Sequence, residues 1–223
     1  KLGVAKENIK VVSIMPCIAK KYEANRPEMQ SDGVRDIDYV LTTRELARLI
    51  KRRGINFNAL ADYTPTSPLA KYTCAGVIVV ATGGVMEAAL RTVVHILDPE
   101  NENKLDYTVV RGVENGIKEA TLKVSGLDVN VAVVHGSVNL PELFRRIKEG
   151  KQYHFIEVMA CTGGCINGGG QPIVNAKVQE SCDVRALRAN VLYEIDKDAG
   201  VHKSHENEAV LAAYKEFLGE PNS

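Results

Sequence analysis

Four short apolar runs constrain this chain more than any other feature: 11–14 (VVSI), 77–81 (VIVVA), 129–134 (VNVAVV) and 155–159 (FIEVM). Runs this short and continuous suit strands buried on both faces, as in a parallel sheet with helices on either side. Helical patterns fall between them. In TTRELARLIKRRG, Thr42 and Glu45 predict a capping box, Leu46, Leu49 and Ile50 share a face, and Gly54 marks the stop. GGVMEAALRTVVHIL spaces Met86, Ala89, Leu90, Val93 and Leu97 along a helix ended by Asp98 and Pro99. NLPELFRRIKEG has Asn139 as cap, Leu143, Phe144 and Ile147 facing inward, and Gly150 at its end. DVRALRANVLYEID and SHENEAVLAAYKEFLG complete the set. The latter turns Val210, Tyr214, Phe217 and Leu218 one way before Gly219 and Pro221. The alternation predicts an α/β fold of mainly parallel sheets flanked by helices. Segments 24–40 and 54–75 read as irregular, and 99–128 as a hairpin or an excursion.

The 223 residues allow one domain or two small ones with a sizeable core. Basic and acidic residues number 28 each, which gives no support to a nucleic-acid or membrane-surface role. No apolar run is long enough to cross a bilayer, and no signal peptide opens the chain. The five cysteines are an odd count, which argues for reduced thiols, a metal or a cluster over a disulfide framework.

Ligands in open α/β sheets bind beyond the carboxyl ends of strands. Four expected strand ends carry Cys17, Thr82-Gly83-Gly84, His135-Gly136 and Cys161. In ACTGGCINGGGQP, Cys161 and Cys165 are four apart, so both sulfurs reach one cluster or metal if the turn is tight. Thiolates suit iron–sulfur clusters, zinc or copper(I). Gly163 and Gly164 give the turn its freedom, and Gly168 to Gly170 let backbone approach a bulky group. The plainer alternative is a glycine-rich turn with two incidental thiols. Cys17 follows Met15-Pro16, with Lys20 on the expected first helical turn. A helix start favours thiolate, and Lys20 could serve an anionic ligand. Taken alone, a structural cysteine and a solvated lysine read better. ATGGVMEAALRT resembles a strand–glycine–helix anion site without the Walker lysine. Met86 reads as core. Cys74, Cys182 and His95 read as bystanders, and Cys74 is expected just before a strand, at the sheet end away from the other thiols.

In combination the motifs are specific. MPCIAKKYEA, ATGGVMEAALRT and FIEVMACTGGCINGGGQP, in this order, resemble the catalytic domain of [FeFe]-hydrogenases. LYEIDKDAGVHKSHENEAVLAAYKEFLGEP is similar to that family's C-terminal segment. The resemblance implies the two-lobe iron-hydrogenase fold, incomplete here, with 1–180 part of the catalytic domain and 181–223 a helical segment wrapping it. It also implies an H-cluster: a [4Fe–4S] cubane joined through one cysteine to a two-iron subcluster with CO, cyanide and a bridging dithiolate. Carried over by motif, Cys17, Cys161 and Cys165 are cubane ligands, and Cys165 is the shared one. Lys20 donates to a cyanide. Met15 and Met159 pack against the subcluster, and Thr82, Gly83 and Gly84 approach the diatomic ligands. The implied reaction is the reversible conversion of two protons and two electrons to dihydrogen, in an anaerobic microbe.

The family's fourth cubane ligand and its proton-delivering cysteine belong to a Thr-Ser-Cys-Cys-Pro motif upstream of the MPC motif, which these residues do not include. The expected partners are therefore the N-terminal half of the domain or a separate subunit carrying that motif, together with a ferredoxin-like or other electron carrier. Both chain ends read as cut, the chain alone as inactive, and its surface as apolar enough to make it oligomeric or poorly soluble. The cytoplasm is preferred over the periplasm. The alternative is a hydrogenase-like iron–sulfur module used in cluster assembly or sensing. Lys20, Met15 and Met159 favour the enzyme. A closed four-ligand zinc site would leave the glycine loops without a purpose.

Overall fold

The computed structural model describes residues 3–63, 72–112 and 116–219. The chain divides into two units, the first Lys1–Tyr63 with Asn167–Val178, the second Thr64–Ile166 with Gln179–Ser223.

In the first unit, β1 (Val12–Met15) leads through α1 (Ala19–Glu23) to a small hairpin, β2 (Gln30–Ser31) and β3 (Val34–Arg35). Asp32 and Gly33 make the hairpin turn at positive φ, so part of the segment expected to be irregular is ordered. Strand β4 (Tyr39–Thr42) pairs parallel to β1 from Val12 opposite Tyr39 to Met15 opposite Thr42. Helix α2 (Thr43–Arg52) starts on the expected capping box: the Thr42 hydroxyl accepts from the Glu45 N–H, and the Thr42 N–H donates to the Glu45 carboxylate. Leu46 and Ile50 are half-buried, whereas Leu49 is exposed.

The second unit corrects one expected strand. Residues 77–81 do not form one. Helix α3 (Cys74–Ile78) starts on a Thr73 cap and buries Cys74, Ala75 and Ile78, and a turn then leads to an isolated bridge at Ala81. Packing against α7 (Val184–Asp198) outweighs the strand preference of this valine-rich run. Cys74 therefore opens a helix and does not precede a strand. Helix α4 (Gly84–Leu97) follows.

Strand β5 (Gly116–Val124), inside the segment 99–128 read as hairpin or excursion, forms an antiparallel hairpin with β6 (Leu127–His135), which covers the strand expected at 129–134. Helix α5 (Leu140–Lys148) carries the chain to β7 (Phe155–Met159), which pairs parallel to β6. Parallel pairing thus holds for β1–β4 and β6–β7, while β5 runs against β6. Helix α6 (Ala176–Ser181) precedes α7, and α8 (Glu208–Ala213) ends in a widened turn, Tyr214–Leu218.

Strand β6 is covered on both faces, which is why its sequence is continuously apolar. Val131 and Val133 join Leu122 and Val124 against Met86, Leu90 and Val94 of α4. Ala132 and Val134 meet Leu143 of α5. Each large apolar side chain buried this way contributes roughly 1.5–3 kcal/mol. The stripe on α4 runs through Val94, and the expected Val93 and Leu97 are exposed. So are Phe144, Ile147, Val210, Phe217 and Leu218, with Tyr214 half-buried. The helix stop expected at Pro221 lies outside the described residues.

Candidate functional site

Two loops of the second unit are stitched together by backbone. Ala81 bridges Gly164, the Thr82 N–H donates to the Gly163 carbonyl (3.2 Å), and the Ile166 N–H donates to the Val80 carbonyl (3.2 Å). The Gly164 N–H closes a tight turn on the Cys161 carbonyl at 3.0 Å. Gly163 and Gly164 both sit near φ +87°, which other L residues rarely adopt. A Cβ on Gly164 would lie 2.7 Å from the Val80 carbonyl oxygen and 2.8 Å from the Thr82 nitrogen. These glycines therefore let one loop of the protein approach another. The turn presents Cys161 exposed and Cys165 half-buried. Beside it the Thr82 side chain is fully buried, and its hydroxyl has no hydrogen-bond partner.

The start of α4 is not an open anion site. Glu157, buried in β7, accepts from the Gly83 N–H (2.7 Å) and the Met86 N–H (2.6 Å). An internal carboxylate thus takes the helix N-terminus that the sequence reading left for a ligand. Burial pushes the Glu157 pKa up, while the N–H groups of Gly83, Met86 and Val85 work to hold it down. Met159 lies two residues on along the same strand and is half-buried.

Helix α7 backs the cysteine turn. Ala189 packs with Ala81 and Ile166, the Arg188 guanidinium donates to the Ile166 carbonyl (2.9 Å), and the Arg185 side chain lies against Gly163. Below α4, Arg91 bonds both oxygens of Asp196 (2.7 and 2.6 Å) and Glu87 (2.5 Å), and Arg111 also bonds Glu87 (2.7 Å). The Arg111 guanidinium stacks 4.3 Å from the Tyr193 ring centroid. None of Glu157, Arg188 or this network was singled out from sequence. The available signals were a lone glutamate inside FIEVM and a Glu87–Arg91 pair on an apolar helix.

The first unit holds the other candidates. Cys17 is half-buried between β1 and α1. The Gly170 N–H donates to the Pro16 carbonyl at 2.9 Å, and a Cβ there would meet the Pro16–Cys17 peptide at 2.8 Å. Gly169 lies against Ile18. Arg44 and Thr43 of α2 hold this strip through the carbonyls of Gly169, Gly170 and Gln171. The glycine run thus wraps the backbone that presents Cys17. Met15 is exposed, and Lys20 on α1 pairs with Glu23 at 2.5 Å.

The structure therefore brings together Thr82, Gly83, Gly84, Met159, Cys161 and Cys165 within the second unit, and Met15, Cys17 and Lys20 within the first. Thiolates are the donors that iron–sulfur clusters take. A tight two-thiol turn beside an unpartnered buried hydroxyl fits such a group. Cys74 is buried, burial raises its thiol pKa, and its sulfur faces the Ile195 carbonyl at 3.8 Å. Cys182 is half-buried just before α7.

The family model described as iron only hydrogenase large subunit, C-terminal domain, matches residues 1–169, and that for the iron hydrogenase small subunit matches 182–223. The chain is 48% identical to iron hydrogenase 1 of Clostridium pasteurianum over 98% of its own length and 38% of that protein's. It is 31% identical to a probable cytosolic Fe–S cluster assembly factor of Aedes aegypti over 97% of this chain and 46% of that one. Among solved structures, an [FeFe]-hydrogenase from Chlamydomonas reinhardtii superposes with a TM-score of 0.78 at 32% identity, over 99% of this chain and 62% of that one. The chain thus spans less than half the length of these two curated relatives. Among the described residues, no helix is long and apolar enough to cross a membrane.

Proposed function

The chain belongs to the iron-only hydrogenase family, and on that premise we propose that it is the C-terminal portion of a hydrogenase catalytic domain. Cys17, Cys161 and Cys165 ligate a [4Fe–4S] cubane in this reading, and Cys165 is shared with a two-iron subcluster carrying CO, cyanide and a bridging dithiolate. When bound, this cofactor supplies the reversible conversion of two protons and two electrons to dihydrogen.

The chain's own residues ligate, orient and exclude water. The stitched loops support this reading most directly, because they hold Cys161, Cys165 and the Thr82 hydroxyl together by backbone. Lys20 donates from Nζ to a cyanide, which requires it to leave Glu23. Met15 and Met159 form apolar, polarisable walls. Gly83 and Gly84 keep backbone close to the diatomic ligands, held in place by Glu157. Residues 1–180 serve as the cluster-binding part and 181–223 as the helical segment that braces it. An upstream segment or separate subunit supplies the fourth cubane ligand and the proton-delivering cysteine, and a ferredoxin-like carrier supplies electrons. The cytoplasm is the compartment in this reading, in keeping with an odd cysteine count.

The assembly-factor relative motivates the competing reading of a cubane without a two-iron unit. Infrared spectroscopy in the carbonyl and cyanide region separates the two. The sample is the chain produced anaerobically with its upstream segment and the maturation machinery. Bands that shift in Lys20→Met and vanish in Cys165→Ser are expected. Iron and sulfide without such bands would mean a cluster module of the assembly or sensing kind.

A further inference from the structure

A second cluster of metal-binding side chains lies in the second unit, between the C-terminal end of α4 and the turn Ser204–Glu206. Donor atoms of His95, His205 and Glu206 fall within 4.8 Å of one another. Glu102 joins them, with one carboxylate oxygen 3.1 Å from His95 Nδ1. The two imidazoles stack with centroids 4.6 Å apart.

His205 is oriented like a metal ligand. Its Nδ1 lies 3.1 Å from the Thr92 hydroxyl, which also lies 3.4 Å from the Ala88 carbonyl. In the tautomer where the hydroxyl accepts from Nδ1–H, the lone pair is on Nε2. That Nε2 is buried and has no hydrogen-bond partner. A hydrogen bond that fixes the tautomer and leaves the other nitrogen open is the usual support for a ligating histidine. Burial, and then the neighbouring His95, hold the His205 pKa below its ordinary value.

The centre of the cluster already holds a cation. The Lys203 ammonium bonds Glu206 (2.6 Å) and Glu102, and lies 3.3 Å from His95 Nδ1. Two carboxylates face one ammonium there, a charge balance that a divalent cation would suit better. Donors around zinc in a tetrahedron lie about 3.3 Å apart, so the His95, His205 and Glu206 donors, all within 4.8 Å of one another, need to close by about 1.5 Å at most. A cavity of about 650 Å³ bordered by Glu102, Lys203 and Glu206 offers entry. The other three-donor cluster, Cys74, Asp196 and His202, lacks these features, because both Asp196 oxygens are committed to Arg91.

We propose that His95, His205, Glu206 and Glu102 form a site for a divalent transition metal of the zinc class, which clips the C-terminal segment to α4 when it displaces Lys203. The site is independent of the cysteine loops and of the hydrogenase reading.

The test is titration of the full chain with Co2+ and Zn2+, read by calorimetry and by cobalt absorption. A Co2+ site without sulfur-to-cobalt charge transfer is expected. Its affinity should fall tenfold or more in His95→Gln and His205→Gln, and rise about tenfold in Lys203→Met. The Lys203→Met gain cannot arise from misfolding. Cobalt bound only with charge-transfer bands, or equal affinity in all four proteins, would overturn the proposal.

Discussion

Strands β1 and β6 are similar in sequence character and opposite in burial. In β6, Val131 to His135 are all buried between α4 and α5. In β1, Val12, Ile14 and Met15 are all exposed, and Ala24 is the one buried apolar residue among the described residues of the first unit. A continuous apolar run therefore records the need for cover on two faces. It does not say that the cover lies in the same stretch of chain. The uncovered face of β1 suits the proposed upstream segment, in a chain spanning 38% of its Clostridium pasteurianum relative.

The largest test of this contrast is Arg91→Met. It strands the buried Asp196 and leaves Glu87 with Arg111 alone, and should cost about 3–5 kcal/mol in denaturant unfolding. Breaking the solvent-facing Lys21–Glu45 pair of the first unit with Lys21→Met should cost no more than about 1 kcal/mol. Equal costs would erase the distinction. Hydrogen exchange sharpens it: β6 amides should exchange about a hundredfold more slowly than those of β1. Adding the upstream segment should protect β1 selectively, and should turn an oligomeric chain into a discrete complex on gel filtration. Equal protection in the chain alone, or a clean monomer at high concentration, would argue against an uncovered face.

The units should also differ in the sign of their pH response. Glu157 has a folded pKa raised above the ordinary 4.5, chiefly by burial. Its stabilising contribution is intact below that value and is lost as pH climbs from there through the raised value. Glu45 is held at about 2 by Lys21 and by the Thr42 N–H and hydroxyl. Its contribution is present above 4.5 and is lost as pH falls toward 2. Glu157→Gln should flatten the stability curve above pH 4.5, at a cost of about 1–3 kcal/mol for the lost acceptor. Glu45→Gln should flatten it below. An unchanged slope in either variant would refute that assignment. Thr42→Ala, which removes one cap, should lower stability by about 1 kcal/mol.

Much of this was legible in the chain. The capping box at Thr42, the helix over Gly84–Leu97 and the strands around Cys17 and Cys161 follow from local rules, and the structure has them. Residues 77–81 misled, because valine-rich runs of five serve a buried helix as well as a strand, and only contact with α7 decides. The sequence reads Gly163 and Gly164 as freedom for the turn, which their positive φ matches, and Gly168 to Gly170 as room for a bulky group. Gly170 instead admits protein backbone, as Gly164 does, a distinction that depends on which segment arrives from far along the chain. Glu157 was hidden for the same reason, since its partners lie over seventy residues earlier.

The stitch between 81–84 and 161–166 bears on the timing of cofactor insertion. Its hydrogen bonds join backbone to backbone and backbone to Glu157, so the loops take their shape from the polypeptide itself. Zinc-finger peptides stand at the other extreme, remaining random until the ion arrives. Ordering a residue costs about 1–2 kcal/mol, and here that cost falls in folding, ahead of any loading. A delivered cluster would then dock into a preset mould, and its uptake would be limited by delivery and ligand exchange, with no loop search to wait for.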